Sequence, residues 1–199
     1  MNFKLTDKEY TDFFYEALES VTKFHFAFDL AIGQDIGFEL YCLRSSLINE
    51  EKAEFDAAMS KGSKIDILDA LCDLLYVLDG AFVSSKASKY SPYILKWKGY
   101  FEEHGSKDCV FSLQDNLCSF LDELLTPEKS FDLFESLCTC YSIIMNTATR
   151  FELPMVEGFR LVHQNNMSKL GEDGKPVRND YGKIIKPSGY KPVDLSVLF

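Results

Sequence analysis

Two acid-bearing segments separated by a short break constrain this chain more than any other feature. The first reads Leu47-Ile-Asn-Glu-Glu-Lys-Ala-Glu-Phe55 and the second Asp66-Ile-Leu-Asp-Ala-Leu-Cys-Asp-Leu-Leu-Tyr76. Between them lies Ser60-Lys-Gly-Ser-Lys64, where Gly62 is suited to end one helix and Ser63 to cap the next. Helix neighbours three and four residues apart share a face, so Glu50, Glu51 and Glu54 point one way, as do Asp66, Asp69 and Asp73. Antiparallel pairing counted outward from Gly62 sets Glu54 level with Asp69, and Glu50 and Glu51 level with Asp73.

Such a cluster has to answer for its own repulsion. Two like charges about 4 Å apart cost on the order of 4 kcal/mol at an effective dielectric near 20. The acids either form the wet faces of two amphipathic helices, or they bind protons or a hard cation. An all-oxygen donor set suits magnesium or manganese better than zinc. Leu47, Ile48, Phe55, Leu68, Leu71, Leu74 and Leu75 flank the acids on the same segments, which brings the carboxylate face close to buried surface.

The rest of the chain sets the bounds. Its 199 residues, 46% hydrophobic, suffice for one domain with a sizeable core. A net charge of −10 argues against binding a nucleic-acid polymer through its phosphates, though not against a single nucleotide. The start, Met1-Asn-Phe-Lys-Leu-Thr-Asp-Lys-Glu-Tyr10, lacks the apolar core of a signal peptide, and the run Leu74–Leu78 is cut by Asp79. A soluble, cytoplasmic protein with no membrane contact is expected. The six cysteines contain no CxxC pair and read as small buried apolar residues.

Helical signals dominate the order of elements. Thr6-Asp-Lys-Glu9 is a capping box opening an amphipathic run through Phe13, Phe14, Leu18, Val21 and Phe24, which Gly33 and Gly37 are expected to end. Further helices are expected over about 38–59, 65–86, 92–104 and 113–125, then from Thr126-Pro127 onward through Ile144, and from Pro154 to Gly171. The expected fold is an all-α bundle over residues 1–171 with an inserted helical segment at about 84–135, followed by an irregular tail, 172–199. In that tail Asn179-Asp-Tyr-Gly182 is a turn candidate between arms at Lys175–Arg178 and Lys183–Lys186. The tail is locally basic on an acidic protein.

With these blocks in view, the chain resembles the MazG-like all-α nucleoside triphosphate pyrophosphohydrolases, which include phosphoribosyl-ATP pyrophosphohydrolase and the dimeric dUTPases. Glu50-Glu51-Lys-Ala-Glu54 matches the family's Glu-Glu-x-x-Glu motif, and Asp73-Leu-Leu-Tyr-Val supplies the aspartate and apolar stretch of its second. Ala70 stands where the common motif carries a glutamate, and Asp69 is the neighbour that could substitute. Val162-His-Gln-Asn-Asn-Met-Ser-Lys-Leu170 is similar to a segment of the compact, often phage-encoded members.

The resemblance implies hydrolysis of a nucleoside triphosphate to a monophosphate and pyrophosphate, and a deoxynucleotide such as dGTP is the favoured substrate. It implies magnesium, with manganese as a substitute, held by Glu50, Glu51, Glu54 and Asp73 with Asp69 in support, and Glu51 as the base that orients the attacking water. Asn166 and Lys169 would contact phosphate oxygens, Arg178 and Lys186 would add to them from the tail, and Tyr76 would contact the base. Arg44 either reaches the same groove or lies on the surface. His163 reads as a packing or hydrogen-bonding residue. The resemblance also implies a homo-oligomer, dimer or tetramer, in a bacterial cytoplasm or that of a phage-infected host. The rival is a non-catalytic helical partner-binding or regulatory protein that keeps the bundle; Ala70 favours it, and the retained glutamates with Asp73 favour the enzyme. A di-iron bundle is excluded, because no helix carries Glu-x-x-His.

Overall fold

The computed structural model describes residues 5–88, 109–126, 130–171, 173–178 and 184–199. The helix expected over 92–104 and the turn at Asn179–Gly182 lie outside them. The described residues form six α-helices, α1 Asp7–Ala27, α2 Phe38–Lys61, α3 Lys64–Ser84, α4 Cys109–Leu124, α5 Ser130–Arg150 and α6 Met155–Met167, with 3₁₀ turns at 86–88 and Leu195–Leu198. The described residues contain no strand, so the all-α expectation holds.

Three of the expected caps are present. The Thr6 hydroxyl accepts from the Glu9 backbone N–H, and the Glu9 carboxylate accepts from the Thr6 N–H at 2.8 Å. Gly62 closes α2 in the left-handed region (φ 73°) with its N–H on the Ala58 carbonyl, and the Ser63 hydroxyl accepts from the Asp66 N–H to start α3. The acid segments therefore form a tight antiparallel hairpin. Some helix ends differ from expectation, among them the start of α4, at Cys109 rather than near residue 113. α1 stops at Ala27, before either glycine, because Phe28 turns into the core and stacks on Phe24 at 4.2 Å while Asp29 takes a positive φ of 52°. α6 stops at Met167, where Ser168 and Lys169 form a turn rather than continuing to Gly171.

α3 is the axis of the bundle. It packs against α1, α2, α5, α6 and the terminal turn, and from Ile67 to Ser84 only Asp69, Asp73 and Val77 escape burial. α6 comes especially close: a Cβ at Gly158 would sit 3.0 Å from Leu68 Cδ1 and 3.1 Å from Cys72 Sγ. Phe13, Phe14, Ala17 and Val21 bring α1 onto the same core, which Phe134, Leu137 and Tyr141 extend through α5. α4 packs on α5. Cys72, Cys138 and Cys140 are buried as expected, whereas Cys42 and Cys118 are exposed.

The tail arms meet at a single antiparallel bridge, Arg178–Ile184, rather than a ladder, and a second bridge, Leu170–Pro176, ties the first arm to the residues just past α6. The Ile185 N–H donates to the Val177 carbonyl at 2.9 Å. No described helix is long and apolar enough to cross a membrane.

Candidate active site

The α2–α3 hairpin carries the acids to one groove by simple periodicity. On α2 the core-facing residues Ile48, Phe55 and Ala58 fix the helix rotation, which leaves Glu51 half-buried and Glu50 and Glu54 at the exposed edge. On α3 the buried Leu68, Leu71, Cys72 and Leu75 do the same, leaving Asp69 and Asp73 half-buried toward α2. Ala70 points into the core, 5% exposed, so Asp69 and not position 70 faces the groove.

Electrostatics ties the two sets together. Burial, reinforced by Asp73, Glu54, Glu50 and Asp69, pushes the Glu51 carboxyl up to about 8. Burial and Asp69 push Asp73 up to about 7, against the pull of Lys169 and Lys186. Asp69 is raised by burial, then by Glu54 and Asp66. In each case burial is the larger cause and the neighbouring carboxylates add to it. Glu51 Oε2 and Asp69 Oδ1 are buried without a hydrogen-bond partner, one on each wall. Asp66 sits at the outer end of the hairpin and pairs with Lys61 instead.

An oxygen-only donor set with two partnerless buried oxygens fits a hard cation in its chemistry. Among the described residues, no three His, Cys, Asp or Glu side chains are gathered closely enough at one point to hold an ion. Glu50 and Glu54 are exposed, and their side chains can swing on a fast timescale.

The cationic side of the groove comes from α6 and the tail. Lys169 lies just past the end of α6, and its Nζ donates to Asn166 Oδ1 at 2.6 Å. Burial lowers the Lys169 proton affinity while Asp73 and Glu51 oppose the change, which places this ammonium beside the acids. Lys186 acts on Asp73 from the tail. The other two expected contacts are placed differently. The Tyr76 ring is 7% exposed and packs against Phe24, Phe159 and His163, so its faces are covered by protein and its hydroxyl meets His163 Nδ1 at 3.1 Å. Arg178 donates to the Phe28 carbonyl at the C-terminal end of α1. His163 is thus a hydrogen-bonding partner of the core.

Arg44 is buried rather than on the surface. It lies 5% exposed, with Nε partnerless and Nη2 at 3.4 Å from His25 Nε2. Sequence patterning gave Tyr190 no role and read Asn165 as a helix-end residue only. Asn165 Nδ2 donates to the Lys191 carbonyl at 2.6 Å, and the Tyr190 hydroxyl donates to Asn165 Oδ1, which draws the tail onto α6. The Gly/Pro-rich composition of that stretch hid the contact.

Residues 8–88, which span α1 to α3 and so the whole acid hairpin, match the family model described as Phosphoribosyl-ATP pyrophosphohydrolase. That places the segment in the MazG-like all-α nucleoside triphosphate pyrophosphohydrolase superfamily and makes nucleotide pyrophosphohydrolysis the activity to expect of it. No curated protein and no solved structure matches the chain.

Proposed function

We propose that this chain, with its MazG-like segment at residues 8–88, hydrolyses a nucleoside triphosphate between the α- and β-phosphates, giving a nucleoside monophosphate and pyrophosphate. The observation that carries the reading is the pair of facing, partly buried carboxylate sets, whose partnerless Glu51 and Asp69 oxygens call for a cation. Glu50, Glu51, Glu54, Asp69 and Asp73 would hold magnesium, or manganese in its place. Such an ion would supply positive charge against the triphosphate and make a nearby water more acidic.

The chain's own side chains supply the rest. Glu51 orients the attacking water and takes its proton as the water oxygen bonds to the α-phosphorus and the bond to the bridging α–β oxygen breaks. That proton is then available to the departing pyrophosphate. Lys169 and Lys186 offset phosphate charge as point cations, and the Asn166 amide is a donor to a phosphate oxygen. The substrate favoured is a deoxynucleotide such as dGTP. Assembly as a homo-oligomer belongs to the same reading, and it is supported by the exposed apolar side chains Phe26, Phe38 and Leu43 near the α1–α2 connection, 82%, 78% and 51% accessible.

The test is pyrophosphate release from a panel of ribo- and deoxynucleoside triphosphates with excess magnesium or manganese. Turnover of at least one nucleotide, lost in Glu54→Gln with folding unchanged, is expected. Folded protein that releases pyrophosphate from none of them would instead leave a non-catalytic partner-binding bundle, the reading that Ala70 favours.

A further inference from the structure

The tail returns to the groove by a two-point clasp on Asn165, and that clasp delivers one aromatic ring to a specific place. Lys186 Nζ stands 5.0 Å from the centroid of the Tyr190 ring and Lys169 Nζ stands 6.0 Å from it. The two ammonium groups arrive from different parts of the chain, one from the end of α6 and one from the tail. Tyr190 is also close enough to Asp73 and Asp69 for their charges to add to the effect of burial in suppressing ionisation of its hydroxyl.

Three forces act on these lysines. They repel each other, and Lys186 disfavours the charged form of Lys169. The acids of α2 and α3 attract both. The electron-rich ring face attracts both as well, by a cation–π interaction that strengthens where water is excluded. Long, flexible lysine stems would otherwise be free to fold down onto Asp73 and Asp69, occupying the oxygens a cation needs. Instead Lys169 is tethered to Asn166 and to the ring, and Lys186 to the ring.

We propose that Tyr190 is a positioning residue for the phosphate chain of the substrate: its ring holds Lys169 and Lys186 as a pair beside the acid groove, and its hydroxyl serves only to anchor the tail on Asn165. The assignment rests on the pyrophosphohydrolase reading for the identity of the anion. The pairing of two lysines on one ring does not depend on it.

The experiment compares the full-length wild type with Tyr190→Phe and Tyr190→Leu. Magnesium tripolyphosphate binding is measured by calorimetry, and kcat and KM are measured with whichever nucleotide turns over. The lysine CεH₂ proton shifts, which a ring face moves upfield, are read by NMR. Tyr190→Phe keeps the ring, so its binding and KM should stay within about twofold of wild type and its upfield shifts should persist. Tyr190→Leu should weaken tripolyphosphate binding and raise KM by about 5- to 20-fold, leave kcat nearly unchanged, and abolish the upfield shifts. Two results would overturn the proposal: wild-type binding in Tyr190→Leu, or equal damage in Tyr190→Phe, which would assign the effect to the Asn165 clasp. If no nucleotide turns over yet Tyr190→Leu loses tripolyphosphate, the reaction is wrong and the lysine-positioning role stands. If turnover is robust and Tyr190→Leu is silent, the reverse holds.

Discussion

Arg44 on α2 and His25 on α1 meet in the core, with Arg44 Nη2 donating to His25 Nε2 at 3.4 Å. His25 Nδ1–H donates to the Ala31 carbonyl at 2.7 Å, which leaves Nε2 as the acceptor and makes the ring neutral. Burial, with the adjacent guanidinium, lowers His25 to about 4 from the ordinary 6.5. A histidine with a depressed folded pKa contributes stability that is fully present above 6.5 and is lost as pH falls toward 4. Roughly 2 kcal/mol of that contribution should be gone by about pH 5. Urea unfolding of wild type and His25→Gln across this window measures it. Equal pH slopes in the two proteins would remove His25 protonation as a cause.

Asp73 opposes folding in the metal-free chain. Its carboxyl is raised to about 7 from 3.8, so in metal-free protein its contribution falls as pH rises through that range. Asp73→Asn should therefore stabilise the metal-free chain near neutral pH by about 1–3 kcal/mol, allowing for solvent screening. The same variant should lose the rise in Tm on adding magnesium, and should lose pyrophosphate release by about 100-fold or more. An unchanged magnesium-induced shift in the variant would take Asp73 out of the ligand set.

Gly158 lets α6 rest directly on α3. Replacing it with alanine gains about 1 kcal/mol in helix propensity, yet pushes a methyl against Leu68 and Cys72, and overpacking of this kind costs about 1–3 kcal/mol. Net destabilisation of roughly 1–2 kcal/mol is expected from chemical denaturation. A variant more stable than wild type would show that the two helices have room to part.

Phe38 opens α2 with its ring in solvent, and like Phe26 and Leu43 it belongs to the exposed apolar set. If a second copy covers this surface, Phe38→Glu should weaken assembly by about tenfold or more, seen as a shift to monomer mass by light scattering at micromolar concentration. A wild type already monomeric there would sink the idea.

Local chemistry made much of this architecture legible in advance. The Thr6–Glu9 box, the Gly62 stop and the Ser63 cap are each decided by residues within one helical turn, and they set the hairpin that faces the two acid sets. Contacts between distant residues were not legible. α1 ends where Phe28 turns into the core, which no glycine announces. The burial of Arg44 depends on His25 and on the missing side chain at Gly80, where a Cβ would come within 3.2 Å of both groups. Tyr76 sits on a helical stripe that serves equally for a base platform or for packing, and its neighbours from α1 and α6 place it in packing. The Asn165–Tyr190 clasp joins positions 25 apart through a stretch without periodicity, so patterning had nothing to act on.

The central placement of α3 has a consequence for how this molecule can diversify. A rod gripped from every side cannot slide to suit a new guest, so Asp69 and Asp73 form an unyielding floor. Adaptation has to fall to the margins: the outer edge of α2 and the strap that follows α6. Preference for one nucleobase over another should therefore be tunable there at little expense to the integrity of the whole.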